Sequence, residues 1–308
     1  MAVEPALALD ARTPDQAAAT PPRAWPVWAG LAAPYALLLA ALLLVPFVNV
    51  ALYSIHPYSA TKVLESGLTV ENYAKIFDLY HLRLFGRTLR LGLVTTVICV
   101  LLGYPLAYWL ARTRPRLQTL GLFLLIMPLM VSTVIRVFGW IVILGRKGLV
   151  NQVLIALGLD PVKLLYTETA VVIGLVNILM PFMVLPLMAA IERIPRSLEE
   201  AARNLGANAW QTFRRTILPL SLPGLISGCV LVYAESISAF VTPALMGSAR
   251  ERMVGQQIYD EVLVSFNWPS ASGLAVTMVL LTLLLMFCAL FATRRIGRFE
   301  RMRPEHPG

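Results

Sequence analysis

Long apolar stretches recur along this chain, and shorter segments between them hold most of the charged residues. Each stretch has about 20 residues or more, the length that a helix needs to cross the hydrocarbon core of a bilayer. The pattern predicts six spans, at residues 27–53, 89–111, 120–144, 169–190, 222–245 and 270–292. We therefore expect an all-α, polytopic membrane protein with six transmembrane helices.

Prolines inside these runs agree with membrane helices. Neighbouring helices and Ser or Thr side chains can satisfy the carbonyl that a proline leaves free, so spanning helices tolerate proline. The internal prolines are Pro46, Pro105, Pro128, Pro181 and Pro186.

Composition supports the same class. Of the 308 residues, 58% are hydrophobic and 14% are charged, whereas a soluble domain has about 25% charged residues. Too few polar side chains are present to cover a soluble particle. The three cysteines, Cys99, Cys229 and Cys288, each lie in an apolar run and have neither metal-site nor secreted-disulfide spacing. We interpret them as small buried hydrophobic residues.

The net charge of +9 could indicate a nucleic-acid partner, but the distribution of the charge favours topology. Arginines concentrate in residues 112–116, in the loop 191–221 and directly after the last run. Positive residues in short flanking segments mark the cytoplasmic side of a membrane protein. The sequence therefore predicts that both termini and the loop 191–221 are cytoplasmic, that the chain contacts the lipid bilayer, and that it binds no nucleic acid.

Three regions follow from this layout. Residues 1–24 lack the basic start and short apolar core of a signal peptide, and we expect a disordered cytoplasmic tail. Residues 25–293 are predicted to form one transmembrane domain, with a short external helix near residues 70–77. Residues 294–308 are predicted to be a basic cytoplasmic tail.

The loop 191–221 is the most distinctive segment. Ser197, three residues before Glu200, predicts a capping box. Ala201 and Ala202 favour helix, and Gly206 suits the left-handed residue that ends one. A second helix is predicted at residues 209–216, carrying Trp210, Phe213, Arg214 and Arg215 and closed by Pro219 and Pro223. This two-helix knob is either a docking surface for another protein or a solvated connector held to the membrane.

Two charged residues fall within predicted spans. Glu235 lies in the fifth, where an ionised group costs on the order of 3 kcal/mol and normally faces a cavity or a partner. With Tyr233 and Ser238 it could line a transport path, and a carboxylate beside an aromatic ring suits a cationic amine. Alternatively Glu235 pairs with Arg136 of the third span or bonds to a sister subunit. Arg136 lies near the outer end, where we expect it to reach the interface or pair at an outer gate.

Motifs for other functions are missing from the sequence. There is no Gly-Lys pair, and hence no phosphate-binding loop for ATP. The histidines, His56, His81 and His306, are isolated, so no zinc-protease motif is present. We therefore expect no enzyme activity. A self-contained secondary transporter would commonly show matched broken helices in repeated halves.

The residues of the knob resemble a known family. Glu200-Ala201-Ala202, then Gly206, then Leu218-Pro219 are similar to the EAA signature of ABC importer permeases, which have the type I, MetI-like fold. The sequence departs at Thr216, where the family usually has Ile. Residues 104–112, 164–167, 180–187, 240–245 and 267–269 resemble permeases of the spermidine/putrescine type (PotB/PotH-like).

The resemblance implies a function and a set of partners. The knob would be a coupling helix that docks into a cytoplasmic ATPase through Glu200, Ala201, Ala202, Gly206, Leu218 and Pro219. The chain would work in the bacterial inner membrane with two ATPase subunits, a second homologous permease and a periplasmic substrate-binding protein. It would hold no cofactor itself, because the ATPase uses the ATP and Mg. Polyamines are the expected substrate, with an opine or an aminophosphonate as alternatives and a secondary transporter as a more distant one.

Overall fold

The computed structural model describes residues 25–59, 67–248 and 251–301, and it describes side chains for all of these except 25–31 and 288–301. The chain divides into two units, the first ending at Asn49 and the second beginning at Val50. The predicted tail at residues 1–24 and the end of the second tail, residues 302–308, lie outside the described residues.

The regular secondary structure of the described residues is entirely helical, as predicted, and contains no strand. The helices are α1 Trp25–Ser54, α2 Glu71–Ile76, α3 Leu79–Arg112, α4 Pro115–Ile126, α5 Thr133–Leu144, α6 Leu149–Ala156, α7 Glu168–Glu192, α8 Arg196–Asn204, α9 Ala209–Thr212, α10 Leu218–Ser238, α11 Val241–Met246, α12 Val254–Leu263 and α13 Trp268–Arg301. A 3₁₀ turn, Met127–Met130, follows α4, and a π turn, Phe213–Ile217, joins α9 to α10.

Helices long and apolar enough to cross a membrane account for five of the six predicted spans. Within the described residues they are Ala32–Ser54, Leu79–Arg112, Glu168–Glu192, Ala209–Ser238 and Trp268–Phe287. The last of these belongs to α13, which continues to Arg301, beyond the predicted end of the sixth span at residue 292.

The third span is not the single helix that the apolar run predicted. The segments Pro115–Met130 and Thr133–Ala156 meet at a bend of 100°. Pro128 lies in the 3₁₀ turn just before the bend, and it removes a backbone donor and crowds the preceding turn. Val131 and Ser132 are extended, with ψ angles of 134° and 135°. Both arms are apolar, so the apolar pattern alone does not mark the break between them.

The fifth span is also displaced from its prediction. α10 ends at Ser238, and Ala239 is extended before α11 begins. At the other end, Pro219 and Pro223 do not close a separate helix, because helical backbone is continuous over Ala209–Ser238. Pro219 lies at the start of α10, directly after the wide π turn, so the regular hydrogen-bond pattern of the helix is already interrupted where the proline falls.

The core of the second unit is the packing of α3, α7 and α10. Leu175, Met183 and Leu187 of α7 and Val232 of α10 are fully buried. These helices approach closely where one of them carries a glycine, as at Gly224 of α10 against α7. Small residues at helix contacts are the usual means of close packing in membranes.

Ion pairs join α3 to α7 at one end of this core. Arg90 donates to both carboxylate oxygens of Glu168, the first residue of α7. Arg87 Nε lies 3.6 Å from Glu168 Oε1. The other end of α3 and α7 carries the segment that joins α7 to α10.

Candidate functional site

The segment between α7 and α10, residues 193–217, is here called the connector. Its first helix, α8, begins after Pro195, which has extended backbone with φ −58° and ψ 134°. Gly206 follows α8 with φ +85°, so the left-handed turn predicted there is present. The amides of Gly206 and Ala207 close the helix by donating to Arg203 O (2.9 Å) and Ala202 O (3.0 Å).

The predicted capping box at Ser197 and Glu200 is wrong. α8 starts at Arg196, so Ser197 is already inside the helix and no side chain caps it. A capping box instead opens α9. There the Gln211 amide donates to Asn208 Oδ1 (2.8 Å), and the Asn208 amide donates to Gln211 Oε1 (3.0 Å). The pattern of Asn followed three residues later by Gln was available in the sequence.

Glu199, which the sequence analysis missed, is the buried acid of the connector. It is 7% exposed, whereas Glu200 is exposed. Arg112 Nε donates to Glu199 Oε1 (2.7 Å), and Tyr108 Oη donates to Glu199 Oε2 (2.9 Å). One signal could have indicated this site. Tyr108 and Arg112 are four residues apart, so they share a face at the end of α3.

The connector also presents an exposed face. Glu200, Ala201 and Gly206 are exposed there and Ala202 is half-buried. Leu205, between α8 and Gly206, is 89% exposed. The predicted coupling residues of α8 and its turn therefore lie together on an accessible surface.

The remaining predicted coupling residues lie elsewhere. Leu218 and Pro219 are half-buried in the first turn of α10. Leu218 packs on a cluster that includes Tyr104 of α3, whose hydroxyl is 2.6 Å from Ser221 Oγ. These residues therefore belong to the support of the connector and not to its exposed face.

An aromatic stack ties α9 to α3. Trp210 is 66% exposed and lies parallel to Phe213, with 5.5 Å between ring centroids. Phe213 meets the Tyr104 ring edge-on at 5.1 Å. The connector is thus attached to α3 by apolar contacts on this side and by the Arg112–Glu199 pair on the other.

The predicted pathway residues of α10 do not form one group. Glu235 and Ser238 are exposed, and together with Ser227 and Leu231 they recur at helical spacing along one face. Tyr233 is half-buried and its ring faces Gly92 of α3. It lines a separate, mostly apolar cleft of about 520 Å³ between α3, α10 and α13.

Arg136 of α5 does not pair with Glu235 within the described part of the chain. Its Nη2 donates to Thr133 Oγ1 at 3.3 Å. Its Nε and Nη1 are buried and have no hydrogen-bond partner. The alternative of a structural Arg136–Glu235 ion pair is therefore not found in this structure.

Comparison with known proteins agrees with a transport protein built from membrane helices. Residues 100–301 match the family described as "Binding-protein-dependent transport system inner membrane component". The chain is 41% identical over 233 residues to the spermidine/putrescine transport system permease protein PotB of Haemophilus influenzae, covering 75% of this chain and 82% of that one. The PotB protein of Escherichia coli K12 is 37% identical over 232 residues, covering 75% and 84%.

A solved structure shares the fold. It is a bacterial ABC transporter involved in the import of the acidic polysaccharide alginate, with a TM-score of 0.72 at 20% identity, covering 88% of this chain and 96% of that one. Together with the family match and the relatives, the helical fold defines a permease of an ABC importer. The chain belongs to the family of binding-protein-dependent transport system inner membrane components.

Membership has direct consequences. The chain is a multi-pass inner-membrane transport component and not a catalyst. Its family works with a partner ATPase and a binding protein, which supply energy and capture solute.

Proposed function

We propose that this chain is a permease subunit for polyamines such as spermidine and putrescine. The observation that carries the proposal is its identity of 41% to a spermidine/putrescine permease, extending over 75% of the chain. The exposed carboxylate of Glu235 within a span adds support, since a cationic amine is attracted to an acidic path. An opine or an aminophosphonate is the competing substrate.

The proposed assembly contains two ATPase subunits, a second homologous permease and a periplasmic substrate-binding protein. Both termini and the connector lie on the cytoplasmic side, in line with the arginines near the ends of the spans. The ATPase binds and hydrolyses ATP with Mg, and this chain contributes no cofactor.

The exposed face of the connector docks the ATPase in this proposal. Glu200, Ala201, Ala202 and Gly206 form the docking surface, because small residues let another backbone come close. Leu218 and Pro219 hold the start of α10 beneath it. Closure of the ATPases on ATP displaces the connector, and the packed spans then rock between two orientations that open the path to either side.

Glu235 and Ser238 are proposed to line the transport path, because they face away from the α3–α7–α10 core. Tyr233 faces α3, so we assign it to packing beside the path. Arg136, with two buried unpaired nitrogens, is proposed to act at the outer gate.

Ligand binding by the cognate binding protein tests the substrate. Calorimetric titration with putrescine and spermidine should give saturable binding, and the reconstituted complex should accumulate radiolabelled spermidine only with ATP present. A complex with an ATPase unable to hydrolyse ATP is the control. Failure of both amines to bind, together with binding of an opine or aminophosphonate, would replace the substrate and leave the permease role intact.

Labelling tests the orientation. In a cysteine-free background, Leu205→Cys should react with an impermeant maleimide only from the cytoplasmic side. Leu157→Cys, in the turn after α6, should react only from the periplasmic side. Both side chains are highly exposed, so only the membrane limits access of the reagent to them. The reverse pattern would overturn the proposed orientation.

A further inference from the structure

Arg112, the last residue of α3, is hydrogen-bonded to the connector. Its Nε donates to Glu199 Oε1 (2.7 Å), and its Nη2 donates to Ile194 O (3.0 Å). Its own carbonyl oxygen accepts from Arg196 Nη2 at 3.0 Å. One residue of α3 is thus bonded to three positions that surround the start of α8.

The pair is well shielded from water. The Arg112 side chain is 14% exposed and the Glu199 side chain is 9% exposed, with Nη2 and Oε1 only 2.6 Å apart. Tyr108, one turn earlier on α3, takes the second carboxylate oxygen. Both oxygens of Glu199 are therefore held, which fixes the orientation of the carboxylate and, with it, the rotation of α8.

The pair joins the connector to a helix that is not its neighbour in the chain. α8 follows α7 directly in the chain, whereas α3 lies 87 residues away from Glu199. The apolar contacts of the aromatic stack resist compression but allow sliding. A charge-assisted, two-pronged hydrogen bond is directional, so it transmits both a push and a pull. α3 in turn is bonded to the far end of α7 through Glu168.

We propose that Arg112 and Glu199 are a positioning pair that couples displacement of the connector to α3, so that α3 and α7 move together when the ATPase moves α8. This inference rests on the proposed docking of the ATPase at the connector. Without the pair, the connector would move against α3, and ATP hydrolysis would continue with little solute carried.

Arg112→Lys is the sharpest test, because lysine keeps the charge but cannot form the planar fork to Glu199 and Ile194 O. Measured on the monodisperse fraction of the reconstituted complex, the ATPase should co-purify as in the unchanged protein and hydrolyse ATP at a similar rate. Uptake per ATP hydrolysed should fall about tenfold, within the usual range of coupling effects. Glu199→Gln, which removes the charge at the other partner, should do the same.

Arg116→Lys is the matched control, since Arg116 lies four residues further on and is exposed. It should leave uptake per ATP unchanged. The double variant R112E/E199R should recover part of the lost coupling. A normal ratio of uptake to hydrolysis in both single variants would overturn the inference, whatever their expression levels. Failure of the ATPase to co-purify with the wild-type permease would instead overturn the proposed docking. The two failures are therefore distinguishable.

Discussion

Gly224 of α10 lies so close to Ala190 of α7 that a Cβ atom at position 224 would stand 2.4 Å from the Ala190 Cβ. The same atom would be 2.6 Å from Pro186 O, which is backbone and cannot swing aside. Glycine at this position therefore sets the distance between the helices on either side of the connector. Any larger residue must force α7 and α10 apart.

Gly224→Ala is expected to destabilise the protein by about 1–3 kcal/mol, the usual cost of overpacking. The measurement is thermal unfolding of the detergent-solubilised chain followed by tryptophan fluorescence. Gly86→Ala in α3 is the control, because a Cβ there meets nothing within 4 Å. An unchanged Tm for Gly224→Ala would contradict the close approach of the two helices.

Gly206→Val should uncouple ATP hydrolysis from uptake while leaving membrane insertion intact. Gly206 has φ +85°, and a left-handed conformation costs a residue with a Cβ about 1–2 kcal/mol, so the turn after α8 should shift. Hydrolysis and uptake are measured together in proteoliposomes. Gly206→Asn should retain coupling, because Asn tolerates this conformation better than a β-branched residue.

A second control separates the effect of backbone strain from the effect of its position in the connector. Gly158, in the turn after α6, has φ +76° and equally open surroundings. Gly158→Val should therefore impose a similar strain without uncoupling ATP hydrolysis from uptake. Equal uncoupling by both valine variants would argue against a specific role of the connector turn.

Leu205→Ser should weaken binding of the ATPase to the permease. Leu205 is 89% exposed, and burying a leucine fully in an interface is worth about 1.5–3 kcal/mol, so we expect an increase in Kd of roughly tenfold or more. Titration of the ATPase onto permease in lipid nanodiscs measures it. Leu157→Ser is the matched control, being a leucine that also ends a helix before a left-handed glycine and is 71% exposed. Equal Kd values for the two variants would place Leu205 outside the contact.

Glu235→Gln should reduce spermidine uptake by raising the apparent KM, lowering the rate, or both, because the neutral amide attracts a cationic amine less strongly. Uptake is measured over a range of spermidine concentrations at saturating ATP and binding protein. Asp160→Asn, at an exposed acid in the loop after α6, is the control and should behave normally. Unchanged KM and rate in Glu235→Gln would remove this residue from the path.

Much of the fold could be predicted because the constraints are local. The thickness of the bilayer sets the length of an apolar span, so the runs located most membrane helices. The turn at Gly206 was also predictable, since few other residues adopt its backbone conformation readily. The arginine-rich segments predicted the cytoplasmic side, and the resemblance of the knob and of the span motifs to a known family implied the class of transporter before any contact was known.

The sequence alone could not determine which neighbouring residue faces which partner. Glu199 and Glu200 are the same residue type at adjacent positions. Only the hydrogen bond from Arg112, 87 residues away in the chain, shows that Glu199 is the buried one. Helix geometry puts Tyr233 and Glu235, two residues apart, on opposite sides of α10, but only the packing shows that Tyr233 is the one that faces Gly92 of α3.

The sequence by itself therefore determined the helical membrane class and the place of the connector, because hydropathy and backbone preference act within a few residues. Tertiary structure alone decided that Glu199 and not Glu200 is the buried acid of the connector, and that Gly92 and Gly224 are points of close contact between helices. Both depend on contacts between helices distant in the chain. The local pattern allows several rotations of each helix, and those contacts select one.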